Sequence, residues 1–164
     1  MFGKLKGLLT KEKNRMKVLA PLEGEVVPVS QVNDPTFSEE ILGKGVAILP
    51  AGNRVVSPVN GVVSQMFDTG HAVSIISDEG AEVLIHVGLD TIKLKGEHFT
   101  IHAHNQDEVK IGDVLMEFDR AGIVAAGYDV ITPIVICNSS NFGSFEVMTG
   151  KTVKEGEEII LMEE

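Results

Sequence analysis

The sequence predicts an all-β fold, an antiparallel sandwich or barrel-like sandwich, and three observations carry that prediction. Val and Ile recur in short runs, and Gly, Pro, Asn and Asp punctuate those runs as turns do between strands. Helical periodicity is thin. Two turn-plus-strand frames each occur twice. Ala20-Pro21-Leu22-Glu23-Gly24-Glu25-Val26 is echoed by Ser57-Pro58-Val59-Asn60-Gly61-Val62-Val63, and Val109-Lys110-Ile111-Gly112-Asp113 by Val153-Lys154-Glu155-Gly156-Glu157. Pro and Gly set a turn and a strand follows. Two copies are too few for a stacked array, so the repeats point to one duplicated β body.

The clearest strands are Val46–Leu49, Gly61–Phe67, Ala72–Ser77, Ala81–Val87, Phe99–His102, Val114–Phe118 and Ile134–Asn138. Asp78-Glu79-Gly80 separates two apolar runs and reads as a hairpin loop. Helices are expected to be very short. Ser38 is placed to cap a turn through Glu39, Glu40, Ile41 and Leu42, and Arg120–Ala126 offers one or two turns more.

The length of 164 residues suits one domain with a sizeable core. The body is expected over 18–164, behind a tail at 1–17. That tail holds Lys4, Lys6, Lys11, Lys13, Arg15 and Lys17 against Glu12 alone, while the whole chain carries −10. The body is therefore strongly acidic, which repels nucleic acid. In the tail, Phe2, Leu5, Leu8 and Leu9 fall on one side of a hypothetical helix, with lysines opposite. Such a segment suits contact with an anionic membrane surface, against the plainer reading of a solvated terminus. No apolar run reaches the ~20 residues that span a bilayer, and no signal-peptide core follows the lysines. The expected location is cytoplasmic, at most peripheral to the inner face of the membrane. Cys137 is the single cysteine; it can form no internal disulfide, and its Ile134-Val135-Ile136 neighbours predict a buried core thiol.

Of the five histidines, two are placed to meet. His71 precedes the Asp78-Glu79-Gly80 loop and His86 follows it. Side chains alternate along a strand. A loop of Asp78-Glu79 sets His71 opposite His86, and a loop of Glu79-Gly80 sets them diagonally, at Cβ separations of ~5 Å and ~7–8 Å. A three-residue loop sends them to opposite faces. Adjacent imidazoles suit zinc binding or phosphoryl transfer. In the second, a neutral ring nitrogen attacks phosphorus while the neighbouring ring offers an N–H to the phosphoryl oxygens. The segment from His86 to Thr91 is tight enough to fold a backbone carbonyl onto Nδ1 of His86 and hold its tautomer. The chain contains neither GxxxxGK[ST] nor GxGxxG. A phosphate acceptor of that kind takes its phosphate from another protein.

Gly80-Ala-Glu-Val-Leu-Ile-His86-Val-Gly88-Leu-Asp90-Thr91 resembles the phosphorylation motif of the glucose-type IIA proteins of the bacterial phosphoenolpyruvate-dependent sugar phosphotransferase system. The likeness extends to Ala20-Pro21-Leu22-x-Gly24, Val32-x-Asp34-x-x-Phe37, Gly43-x-Gly45-Val46-Ala47-Ile48, Thr69-Gly70-His71-Ala72 and Leu94-Lys95-Gly96-Glu97-x-Phe99, and covers about residues 18–162. It implies a β-sandwich of duplicated hybrid type. His86 would accept phosphate through Nε2 from the phosphocarrier HPr and pass it to a cysteine on a IIB domain of a membrane sugar permease. His71 would stabilise the phosphoryl group, Thr69 would orient His71, and the Gly88 carbonyl would fix His86. Asp34 and Asp90 match positions facing basic partner residues. Phe37, Leu42 and Ala47 match an apolar docking ring. No cofactor is required, although His71 and His86 would bind zinc in relatives whose partner adds a carboxylate. Relatives also bind transporters or enzymes according to phosphorylation state. Gly70, Val73 and His98 depart from the family pattern, which bears on partner choice.

Two rivals come from other classes. His86-x-x-x-Asp90 and His102-x-His104 match zinc-peptidase spacings, but they stand too close in sequence to wrap one metal. Lys110 and Lys154 precede Gly turns as in lipoyl or biotin carriers, but lack the Met or Asp setting of a modified lysine.

Overall fold

A computed structural model describes residues 15–163, and the first fourteen residues, with most of the expected basic tail, lie outside them. In chain order the elements are β1 (Arg15–Leu19), β2 (Gly24–Pro28), α1 (Pro35–Ser38), β3 (Lys44–Pro50), β4 (Arg54–Val56), β5 (Gly61–Met66), β6 (Ala72–Ser77) and β7 (Glu82–His86). They continue with β8 (Phe99–Ile101), β9 (Glu108–Val109), β10 (Val114–Phe118), α2 (Arg120–Ala125), β11 (Thr132–Ile136), β12 (Ser144–Val147), β13 (Lys151–Val153) and β14 (Glu158–Glu163). Short 3-10 turns span Val29–Gln31, Thr91–Leu94 and Ser139–Asn141. The boundary expected between residues 17 and 18 falls inside β1, whose Met16 is buried in the core.

The strands form an eight-stranded sheet ordered β13-β2-β3-β11-β7-β6-β5-β9 and two three-stranded sheets, β1-β14-β12 and β4-β10-β8. All pairings are antiparallel. The all-β expectation holds, and so does duplication, because the repeated frames pair in the same way. Ala20 N–H donates to Glu157 O and Ala20 O accepts from Gly156; likewise Ser57 N–H donates to Asp113 O and Ser57 O accepts from Gly112. Leu19 N–H reaches Pro58 O, and Val56 N–H reaches Pro21 O. The large sheet reads as a palindrome about the β11–β7 boundary: β13 answers β9, β2 answers β5, and β3 answers β6. The two halves are thus related by an approximate twofold axis.

Alternation along the central strands builds two cores. Val46, Ile48, Ile134, Ile136, Val83, Ile85, Val73 and Ile75 face inward and join the main cluster under the small sheets. Ala47, Val135, Leu84 and Ala72 face the other way. There they meet Val27, Val29, Val32, Phe37, Leu89 and Ile131, with Phe67 packed alongside. This second cluster covers part of the outer face of the large sheet, and the paired histidines lie on it.

Two expectations need correction. The first helix runs over Pro35–Ser38 rather than 39–42, because Asp34 caps it, accepting a hydrogen bond from Thr36 N–H at 3.0 Å, and Pro35 supplies its first turn. Strand β11 starts at Thr132 and ends at Ile136. The expected strand was Ile134–Asn138; the observed one lies two residues earlier and takes in Pro133, a residue uncommon in central strands because it cannot donate to the ladder. Cys137 consequently lies past the strand end and is exposed rather than in the core. Partial burial and nearby Glu82 still hold its thiol above the usual range.

Candidate active site

His86 ends β7, two residues after Leu84, and so projects onto the outer face beside the second cluster. The β6–β7 register opposes Ala72 to His86 and Ile76 to Glu82, and Ser77 N–H donates to Ala81 O around Asp78-Glu79-Gly80. This is the three-residue loop, the register that strict alternation says separates the two histidines. They are nevertheless together, with ring centroids 4.9 Å apart and planes at 84°. The reason is local. His71 precedes β6 in a tight reversal: Gly70 N–H donates to Phe67 O at 2.7 Å, and Phe67 N–H donates to Ala72 O at 3.1 Å. Gly70 adopts φ +73°, a left-handed conformation that glycine takes without steric cost. Alternation therefore stops at Ala72, and the His71 ring turns onto the His86 side. The backbone stays tied across the site, because His71 O accepts from Val87 N–H at 2.7 Å.

Each ring has one nitrogen engaged by the protein. His86 Nδ1–H donates to Gly88 O at 2.7 Å, which leaves the lone pair on Nε2. Gly88 sits at φ +81°, its N–H bonded to Ile131 O at 3.0 Å, while Leu89 N–H bonds Asp129 O at 3.0 Å. His71 Nδ1 contacts the Thr69 hydroxyl. Phe37 tilts against His86 with centroids 5.1 Å apart, and Phe67 meets His71 edge-on at 5.4 Å. His71 is 2% exposed, whereas His86 is only half-buried, so His86 is the more accessible of the two rings.

Burial sets the charge. His71 is pushed down to about 4, first by desolvation and then by His86. His86 is also lowered by desolvation, against the opposing pull of the Gly88 carbonyl and of Asp34 and Asp90. Both rings are therefore neutral near pH 7. Among the described residues no three His, Cys, Asp or Glu side chains converge as a metal site. His71 and His86 offer two nitrogen donors, half of the four that closed zinc coordination takes.

The other expected positions divide. Asp34 and Asp90 flank His86 electrostatically, Asp90 being exposed at φ 59°. Leu42 is 37% exposed and keeps a surface for docking. Ala47 does not: it is fully buried, because it alternates into the second cluster. Phe37, at 3% exposed, belongs to the floor under His86 rather than to an outer ring. Sequence reasoning missed Phe67, whose only signal was its place at the end of a strand before the His71 turn. It missed Ile41 and Ile92, both more than half exposed next to named site residues. His102 pairs with Glu117 at 2.9 Å, His98 lies 3.7 Å from Asp119, and His104 is exposed beside Asp107, so the peptidase spacing assembles no site.

The duplicated β-sandwich thus brings two neutral imidazoles together on an apolar face, with the His86 proton held on Nδ1. The chain belongs to the phosphoenolpyruvate-dependent sugar phosphotransferase system, EIIA 1 family, which matches residues 16–142. It is 42% identical over 161 residues to the PTS system glucose-specific EIIA component of Oceanobacillus iheyensis, covering 98% of both chains. It is 50% identical over 131 residues to the PTS system beta-glucoside-specific EIIBCA component of Bacillus subtilis, spanning 80% of this chain but 22% of that longer protein. In structure it is similar to the glucose permease IIA of Mycoplasma capricolum, with a TM-score of 0.84 and 33% identity, over 90% of this chain and 95% of that one.

Proposed function

We propose that this chain is a cytoplasmic phosphohistidine carrier, loaded at His86 Nε2 by phospho-HPr and unloaded onto the cysteine of a IIB domain during sugar uptake. The observation that carries the reading is the His86 Nδ1–H···O=C Gly88 bond, which fixes the free lone pair on the half-buried Nε2. The relative in which a IIA-type segment is joined to IIB and IIC segments supports a IIB acceptor. Glucose or a β-glucoside is the sugar class that the relatives' names suggest.

In loading, the Nε2 lone pair attacks phosphorus in line with the departing donor atom. The Nε2–P bond forms as the donor–P bond breaks, and the electrons of the broken bond stay with the donor. The His86 ring gains positive character, which the Gly88 carbonyl stabilises through Nδ1–H. The Thr69 hydroxyl donates to Nδ1 of His71, leaving Nε2–H of His71 to donate to the phosphoryl oxygens. Phe37 and Phe67 pack against the rings, and a docked partner completes water exclusion, so that phosphate moves to a thiol rather than hydrolysing. Unloading reverses the bonds, with a cysteine thiolate as the attacking group. Asp34 and Asp90 suit contacts with basic partner residues, and Leu42 suits an apolar one. The two imidazoles bind zinc only where a partner completes the ligand set. Loading adds roughly two negative charges to an apolar face, so regulatory partners that dock there distinguish the two forms.

The test is incubation with phosphoenolpyruvate, Enzyme I and HPr, followed by mapping of acid-labile phosphate. His86→Gln is expected to take up none. His71→Gln is expected to load and then fail in onward transfer. Loading of His86→Gln with loss in His71→Gln would exchange the roles of the two rings.

A further inference from the structure

The loop that fixes His86 is itself held by one buried hydroxyl. Thr91 is fully buried, and its Oγ1 donates to Val87 O at 2.5 Å. The same Val87 residue donates its N–H to His71 O at 2.7 Å. Val87 is thus pinned on one side to the backbone of the His71 turn and on the other to Thr91, directly between His86 and the Gly88 carbonyl that sets its tautomer. The Thr91 methyl stands 2.5 Å from where a Cβ on Gly88 would fall, so it also fills the space beside Gly88. Asp90, at φ 59°, turns the chain so that residue 91 comes back beneath residue 87. A serine hydroxyl can make the same bond without the methyl. A valine fills the same volume but leaves a buried carbonyl without its partner, which is why the two are not equivalent replacements.

We propose that Thr91 is a positioning residue for the phosphoryl carrier: its hydroxyl, through Val87, holds the Gly88 carbonyl on His86 Nδ1 and keeps the His71 backbone in step with it. The assignment rests on His86 being the phosphoryl acceptor, and it touches neither the phosphoryl group nor a partner. When the hydroxyl is lost, the Val87–Gly88 peptide keeps only the Gly88 N–H bond to Ile131 O, the loop loosens, the Gly88 carbonyl drifts from Nδ1, and the His86 proton distributes over both ring nitrogens. The fraction of protein with a free Nε2 lone pair then falls, which lowers the turnover of loading and leaves the affinity for the donor unchanged.

The experiment has two arms on the full chain. Side-chain nitrogen NMR of the unphosphorylated protein reads the His86 tautomer with no donor present. Wild type and Thr91→Ser are expected to hold the proton on Nδ1, and Thr91→Val to show both tautomers. Loading from phospho-HPr is then expected to fall by at least about twofold in kcat, in proportion to the fraction of His86 that keeps its proton on Nδ1, with KM unchanged in Thr91→Val, and to return to the wild-type rate in Thr91→Ser. Thr91→Ala serves the same comparison should the branched variant not fold, and a thermal melt of each variant identifies the folded ones. A wild-type tautomer and a wild-type kcat in either variant lacking the hydroxyl would overturn the assignment. So would a serine variant as impaired as the alanine one, since that would make the methyl, not the hydroxyl, the working part. Absence of phosphate on wild-type His86 would instead remove the carrier reading and leave the tautomer arm standing on its own.

Discussion

Gly88→Ala attacks the site through backbone geometry. The residue sits at φ +81°, where an L side chain costs about 1–2 kcal/mol relative to glycine. The added methyl would stand 2.5 Å from Thr91 Cγ2 and 2.8 Å from Asp129 O. Neither neighbour yields easily. Thr91 is fixed by its bond to Val87, and the Asp129 carbonyl already accepts from Leu89 N–H. Overpacking of this kind adds about 1–3 kcal/mol, so a total near 2–5 kcal/mol is expected. Urea unfolding followed by circular dichroism would read that as a midpoint lowered by about 1–2 M. The folded remainder relieves the clash by shifting the backbone at residue 88, which takes its carbonyl off His86 Nδ1. Phosphoryl uptake should then slow by about tenfold or more at saturating donor. A variant within about 0.5 kcal/mol of wild type that also loads at the normal rate would refute the reasoning, because both effects come from the same contacts.

Thr69→Val removes the hydroxyl from His71 Nδ1 at nearly constant volume; loading of His86 should persist, while transfer to a IIB domain drops, as followed by phosphate release from the loaded protein. A fall in loading with normal release would contradict the role given to His71. Acid should destabilise the protein through the same ring. His71 is neutral when folded down to about pH 4 but protonates near 6.5 when unfolded, so its contribution is complete above pH 6.5 and is lost as pH falls towards 4. The slope has an upper limit of about 1.4 kcal/mol per pH unit for one proton. Denaturant midpoints measured from pH 7 to pH 4.5 should decline, and His71→Gln should flatten the decline; an unchanged slope would show that His71 does not protonate on unfolding.

Much of this site could be read from residue order, and what could not has identifiable causes. The duplication was legible because both turn frames keep Pro and Gly where the chain reverses, and the structure pairs them in matching bonds. That His71 and His86 meet was legible, but the argument from alternation was not the reason. The hairpin takes the register that should part them, and a reversal at Thr69-Gly70 turns His71 back. Alternation governs residues inside a ladder, and His71 lies one residue outside it. Ala47 and Phe37 were placed at the surface because family position carries no burial; only the packing of the loop before β3 onto the outer sheet face shows both as floor. Cys137 was misplaced because an aliphatic run marks a strand but not its last residue, and the strand began earlier, across Pro133. The Thr91 hydroxyl bond to Val87 joins residues four apart in a turn without regular periodicity, so spacing alone had no means of announcing it.

The central claim is that the protein presents one particular nitrogen, Nε2 of His86, as the attacking atom. Phosphorus–nitrogen correlation NMR on the loaded, nitrogen-labelled protein tests it most directly. The account predicts a single phosphoryl signal coupled to His86 Nε2, with Nδ1 still protonated on the Gly88 carbonyl. Coupling to Nδ1 of His86, or to either nitrogen of His71, would contradict it.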